Sequence, residues 1–203
     1  STPKLDRRAH IKKLMALGAA AAAPGALWAA GTEVLVGDEK SNRAFGYKRS
    51  VSHWTVDDLE WEDLCGWLAR EGVEAVDLVG PENWHHLKKH GLDSSMCNGA
   101  ELNLVDGFIH EEFEGVLHER YRAMIPRVAK AGYSNLICFS GNRRGLSEAL
   151  GLEQAVKALQ PMVALAEEHG VVLQMELFNS LVDHPDYMAD SSRWGIELAR
   201  ALN

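Results

Sequence analysis

The sequence predicts an α/β chain with parallel strands, wound as a (β/α) barrel of which about five βα units are present. Three observations carry this. From residue 47 onward, β-type apolar runs alternate with stretches whose apolar residues recur at helical spacing. Four junctions repeat one pattern of helix end, glycine and strand start: Glu71-Gly72-Val73, His90-Gly91-Leu92, Ala131-Gly132-Tyr133 and His169-Gly170-Val171. Alternation of this kind implies parallel pairing through crossovers. The third observation chooses the barrel. In the fifth strand Leu173, Met175 and Leu177 share one face, and Gln174 and Glu176 the other. A sheet covered by helices on both sides would bury that carboxylate at a cost. In a TIM-type barrel the same face points inward, and its last residues open onto the mouth where active sites sit. A nucleotide-binding sheet loses support, because no GxGxxG follows the first strand and no GxxxxGK[ST] occurs.

The elements follow in order. Residues 47–54 (YKRSVSHW) read as the first strand. A helix over 58–71 carries Leu59, Leu64, Trp67 and Leu68, with Asp57 or Asp58 as its cap and Gly72 as its stop. VEAVDLVG (73–80) is the second strand, and Asp77 shares the inward alternation at a deeper level. A short helix spans 82–90, and LDSSMCNG (92–99) is a weaker strand. After a loop, the helix from about His110 to Lys130 shows an apolar stripe of Phe113, Val116, Leu117, Tyr121, Met124 and Val128. YSNLICFSG (133–141) is the fourth strand, and GNRRGLSEALG reads as a loop. Leu152 to His169 is helical, VVLQMELFN (171–179) is the fifth strand, and a last helix lies near 190–202. Pro126 and Pro161 fall inside helical stretches, where each is expected to kink or split its helix.

Composition bounds the rest. The chain has 203 residues, 46% hydrophobic and 25% charged, which excludes disordered, collagen-like and disulfide-scaffold classes. The formal charge is −8 and unevenly spread. Residues 1–30 hold Lys4, Arg7, Arg8, Lys12 and Lys13 against Asp6, a net +4 that leaves −12 for the remainder. Such a body repels a phosphate backbone, so nucleic acid is not an expected partner. The N-terminal order, a charged KLDRRAHIKK and then the uncharged LMALGAAAAAPGALWAA, describes an export signal. Arg7-Arg8 resembles the twin-arginine type. Periplasmic export is therefore expected, with residues 1–30 as signal, 31–46 as linker and 47–203 as the barrel units. The alternative, a membrane anchor, rests on 17 residues interrupted by Pro24 and Gly25, at the short limit for a span. No stable span is expected once the signal is removed. Cys65, Cys97 and Cys138 are odd in number and lack a CxxC, so buried thiols are expected.

Glu176 is the leading candidate for chemistry. A carboxylate at the end of a barrel strand can move a proton, bind a divalent metal, or do both. The competing reading is a structural Glu paired with a buried base. Asn142, Arg143 and Arg144 follow the fourth strand, where arginine could hold an anionic substrate group; a solvated basic loop is the alternative. His53 and Trp54 end the first strand and could line a pocket, or His53 could belong to the core. Asp183 and His184 follow the fifth strand and could reach substrate, or serve as turn residues. His85 and His86 read as a surface face beside Lys88 and Lys89. His110, His118 and His169 lack ligand spacing.

Three segments carry a resemblance: DLVGPENWHHLKKHGL (77–92), IPRVAKAGYSNLICFSGNRRG (125–145) and MELFNSLVDHPDYMADSSRWGIELARAL (175–202). They resemble hydroxypyruvate isomerase-like proteins of the xylose isomerase-like, sugar isomerase/epimerase superfamily. The resemblance covers about residues 47–203. It implies an eight-stranded barrel and an aldose–ketose type isomerisation of a sugar or hydroxy-keto acid through an enediolate. It also implies that Glu176 is one of two acid/base carboxylates and, in metal-containing relatives, a ligand of Mg or Mn. His53, Trp54, Asn142, Arg143 and His184 are the expected substrate contacts. Residues 47–203 provide 157 residues, whereas such a barrel typically closes with about 250. The expectation is a fragment of a longer product, or a half-barrel completed by another copy in a homo-oligomer. Two other functions compete: a sugar- or organic-acid-binding barrel without catalysis, and a metal-dependent phosphodiesterase, which the acidic body disfavours.

Overall fold

A computed structural model describes residues 48–203. The expected signal and linker, and Tyr47 at the start of the first predicted strand, lie outside the described residues. Five strands form one sheet in the order β1-β2-β3-β4-β5, all neighbours parallel. They are β1 (Ser50–Ser52), β2 (Ala75–Val79), β3 (Asp93–Cys97), β4 (Asn135–Cys138) and β5 (Val172–Met175). The intervening helices are α1 (Trp61–Arg70), α2 (Trp84–His90), α3 (Glu114–Ala131), α4 (Glu148–Glu168) and α5 (Ser192–Leu202). The strictly sequential order separates this sheet from a doubly wound one, whose strand order reverses at a switch point. Here each crossover steps one strand in the same direction, as in a barrel. Successive helices pack on one another, α1 on α2, α3 on α4 and α4 on α5. Among the described residues no helix is long and apolar enough to cross a membrane.

The expected faces of β5 are the observed ones. Leu173, Met175 and Leu177 border a helix-side groove with Val163 and Ala166 of α4 and Leu198 of α5. Gln174 points the other way, its Nε2 donating to Asn135 Oδ1 at 3.1 Å. The core fills the space between sheet and helices with Leu64, Leu68, Val76, Leu87, Leu117, Ile125, Leu136 and Leu159, all almost fully buried. Cys65, Cys97 and Cys138 are free, buried thiols. Burial pushes Cys65 and Cys97 up to about 11 and Cys138 to about 12.

Several boundaries differ from expectation. The first strand is only three residues long, and His53–Thr55 form a 3-10 turn. His53 and Trp54 therefore sit on the rim beyond the strand. Helix α1 begins at Trp61 after Glu60, not after Asp57 or Asp58, and has no side-chain cap. Helix α4 begins at Glu148, inside the stretch read as loop, because Ser147 caps it: Oγ accepts from Leu150 N at 3.3 Å. Pro126 and Pro161 do not split their helices; each lies within a continuous one. The carbonyl deprived of its donor in each case belongs to an exposed residue four positions earlier, Arg122 or Lys157, on the solvent side of its helix.

Two irregularities shape the mouth. Strands β3 and β4 share one register pair, Cys97 with Leu136. Beyond it the segment 107–109 enters beside the end of β4. Phe108 N donates to Phe139 O and Ile109 N to Ser140 O, both at 3.1 Å. Gly107 permits this approach, since a Cβ there would lie 2.4 Å from Phe139 O and 2.6 Å from Gly141 N. In β2 the register shifts around Leu78, whose φ of +60° is left-handed. A bulge of this kind re-aims its neighbours, and adjacent Asp77 turns to the inner face, toward Ser50, Ser52 and Ser95.

Candidate active site

Glu176 continues the β5 ladder by one residue, its N–H donating to Cys138 O at 3.2 Å. It shares the face of Gln174, so its carboxylate stands on the inner face at the C-terminal end of the strand. Among the described residues that carboxylate has neither a hydrogen bond nor an ion pair. It is half-buried, and desolvation raises its pKa above the ordinary carboxylate value, with the charge of His184 pulling it partly back. Among the described residues no Lys or Arg pairs with Glu176, as the structural reading would have it.

His184 is held beside it by aromatic packing. Its ring lies 4.4 Å from that of Phe178, and Phe178 packs edge-on against Tyr187 at 4.8 Å. Phe139 closes the group at 6.0 Å from Phe178. Tyr187 is fully buried, and its hydroxyl accepts from Ser140 N at 3.0 Å. Burial drives the Tyr187 phenol well up, and nearby Glu176 adds to the effect.

The 183–190 loop that carries His184 and Tyr187 is clasped by the loop after β4. Arg143 N donates to Asp186 O at 2.6 Å, Arg143 Nε to Tyr187 O at 3.2 Å, and Arg143 Nη2 to Asp190 Oδ2 at 2.8 Å. Glu148 stands 3.6 Å from the same guanidinium. Arg144, at φ +50°, donates its N–H to Asp186 Oδ2 at 3.1 Å and pairs through its side chain with Asp106. Asn142 bridges Tyr187, and its carbonyl accepts from His110 Nε2 at 2.9 Å. His110 Nδ1 in turn accepts from Gly107 N at 3.2 Å, which fixes the proton of a neutral ring on Nε2. The arginines of the loop after β4 are engaged with carboxylates of the chain itself. In this structure Arg143 and Arg144 hold the loop in place.

His53 and Trp54 lie on the far side. His53 stacks on Trp61 at 4.0 Å, and burial lowers its pKa, with Asp57 opposing. Trp54 is 63% exposed. β1 and β5 are opposite edges of the sheet, roughly 19 Å apart along it at about 4.8 Å per strand. The structure brings Glu176 and His184 together, and places His53 and Trp54 past the end of β1, at the other edge of the sheet. Asp183 is exposed. Sequence reasoning missed Tyr187, Phe178 and Phe139, whose signal was faint: aromatic residues just past strand ends.

A divalent metal would find Glu176 and His184 as donors. Among the described residues no group of three or more His, Cys, Asp or Glu side chains could hold an ion. Two donors fall short of the three or more protein ligands that a stable site uses.

Burial of Glu176 has a measurable consequence for stability. A raised folded-state pKa favours the protonated fold. The contribution is full below the unfolded value of 4.5 and is lost as pH rises through the folded value. The variant Glu176→Gln lacks that loss. Urea denaturation at pH 4 and pH 7 should show the variant gaining stability relative to wild type as pH rises. An unchanged difference between the two pH values would contradict the burial argument.

No known protein-family profile matches the chain, and no curated protein does. Solved structures do. The AP endonuclease, family 2, from Brucella melitensis is 15% identical with a TM-score of 0.64, covering 77% of this chain and 65% of that one. The IolI protein with a bound zinc atom is 12% identical with a TM-score of 0.63, covering 77% and 59%. A D-psicose 3-epimerase determined with D-fructose is 11% identical with a TM-score of 0.56, covering 77% and 60%. The described chain therefore has the fold of xylose isomerase-like TIM-barrel proteins and spans less than two thirds of the length of each.

Proposed function

We infer that this chain carries one proton-transfer carboxylate of a sugar or hydroxy-keto-acid isomerase or epimerase, of which hydroxypyruvate isomerases are one type. One observation bears most of the weight: Glu176, half-buried and unpaired among the described residues, at the C-terminal end of an inner-face strand position. A carboxylate whose pKa is raised by burial is a better base than an exposed one. It takes the proton from the carbon next to a substrate carbonyl, and the electron pair moves into that carbonyl to give an enediolate. Returning the proton to the neighbouring carbon isomerises the sugar; returning a proton to the opposite face of the same carbon epimerises it. The second case needs a second acid/base group on the opposite face of the substrate. His184 is positioned to donate to a substrate oxygen or to steady the Glu176 charge, and Asn142 and Arg143 support it by holding its loop. His53 and Trp54 enter the reading as a rim that a longer substrate reaches. The zinc of the IolI structure supports a divalent ion as companion, with Glu176 and His184 as the donors this chain would offer it. Export by the twin-arginine-like signal belongs to the same proposal.

The test is isotope uptake. The protein is incubated in heavy water with hydroxypyruvate and a panel of aldoses and ketoses, with and without Mg or Mn, and the products are read by proton NMR. Deuterium at the carbon next to the carbonyl is expected. Absence of uptake together with saturable sugar binding would replace the isomerase by a non-catalytic binding barrel. Cleavage of abasic DNA instead would favour the phosphodiesterase, against which the −12 body argues.

A further inference from the structure

The inner face of the sheet carries a continuous polar chain, one link to each strand. Ser50 Oγ and Ser52 Oγ of β1 donate to Asp77 Oδ2 of β2 at 3.0 and 3.5 Å. Ser95 Oγ of β3 donates to Asp77 Oδ1. Asn135 Nδ2 of β4 donates to the Ser95 carbonyl at 2.9 Å, and Gln174 Nε2 of β5 donates to Asn135 Oδ1 at 3.1 Å. Barrel interiors are usually filled by branched apolar side chains. Five adjoining polar links, each satisfied by the next, are a departure that packing alone does not require.

The chain is most consequential where the backbone is weakest. Strands β3 and β4 share only the Cys97–Leu136 register pair. So short a ladder leaves the offset of β4 against β3 to be reinforced by side chains, and β5 follows β4 through their four register pairs. Asn135 supplies it in both directions, because its amide donates toward β3 while its carbonyl oxygen accepts from β5. Gln174 is two residues from Glu176 on the same strand and the same face. The height of Glu176 at the mouth follows from where Gln174 is held.

We propose that Asn135, acting through Gln174, is a positioning residue that sets the placement of Glu176. An amide pair suits the task. It neither titrates nor adds charge beside the carboxylate, and it fixes strand offset by two directional bonds. The catalytic half of the inference rests on the isomerase reading; the structural half does not.

Two variants and two readouts test it. Asn135→Leu removes both bonds at near-constant volume, and Gln174→Met removes only the β4–β5 bond. Hydrogen exchange of the Gln174 to Glu176 amides should accelerate about tenfold or more in each, while the amides of α1 and α4 stay as in wild type. In the deuterium-transfer assay kcat should fall about tenfold or more with KM within roughly twofold, since misplacing a reacting group weakens the chemical step rather than binding. Should Asn135→Leu not fold, Gln174→Met alone decides. Unchanged β5 exchange would overturn the proposal, as would kcat and KM changing together in proportion to lost Tm. If wild type turns over no substrate, the isomerase reading fails by itself, and the exchange experiment still shows whether the amide pair holds the Glu176 strand.

Discussion

Replacing Glu176 with glutamine should lower deuterium transfer by about 10²–10⁴-fold, the range that a positioned acid/base group contributes. The side chain keeps its size and loses only its ability to accept the proton. KM should therefore change little, and the protein should remain folded. Glu176→Asp makes a finer test, because it keeps the charge and withdraws it by one methylene. A displacement of about 1 Å is enough to cost on the order of 10²-fold. The base acts when ionised, so wild-type kcat/KM should rise with pH through the Glu176 pKa. That value is raised above 4.5 by burial, with His184 limiting the rise. The acidic limb should disappear from whatever activity Glu176→Gln retains. Full turnover in Glu176→Gln would remove the carboxylate from the chemistry.

Gly107→Ala should destabilise the fold by about 1–3 kcal/mol, the usual penalty of overpacking a filled interior. The added carbon would meet backbone, Phe139 O and Gly141 N, not the pliable end of a side chain. Relief requires the 107–109 segment to retreat from the end of β4, which weakens the two hydrogen bonds it makes there. Gly115→Ala provides a control of opposite sign. Gly115 is exposed near the start of α3 with nothing within 4 Å of its Cβ position, so alanine should stabilise the helix by up to about 1 kcal/mol. Urea midpoints of the two variants check both. Equal midpoints would mean that the close approach at Gly107 relaxes freely.

What was readable in the sequence follows from where the physics is local. Period-two alternation in 171–179 placed Glu176 on the inner face, and glycine stops marked the helix ends: Gly91 and Gly132 both hold left-handed φ as helix caps. The tie between the loops after β4 and β5 was not readable. Arg143 and Asp190 are 47 residues apart in sequence, so the hydrogen-bonded partner of this guanidinium is not visible from its neighbourhood in the chain. The same holds for Asn135, whose partners Ser95 and Gln174 lie 40 and 39 residues away. Short boundaries also slipped: Ser147 was available as a helix cap, but the glycines and arginines before it read as loop. His53 and Trp54 were assigned to the end of a strand that stops two residues earlier, at Ser52, a shift that carries both past the strand onto the rim.

The sequential strand order also bears on how the chain is made. Each strand pairs with the one synthesised just before it, so a newly emerged strand finds its neighbour already in place. Among the described residues no strand waits for one further along the chain, although each parallel pairing has to close a crossover that contains a helix, which is slower than closing a hairpin. Synthesis in the N-to-C direction then coincides with growth of the sheet from one edge to the other, and the advancing edge at any moment is the last strand completed.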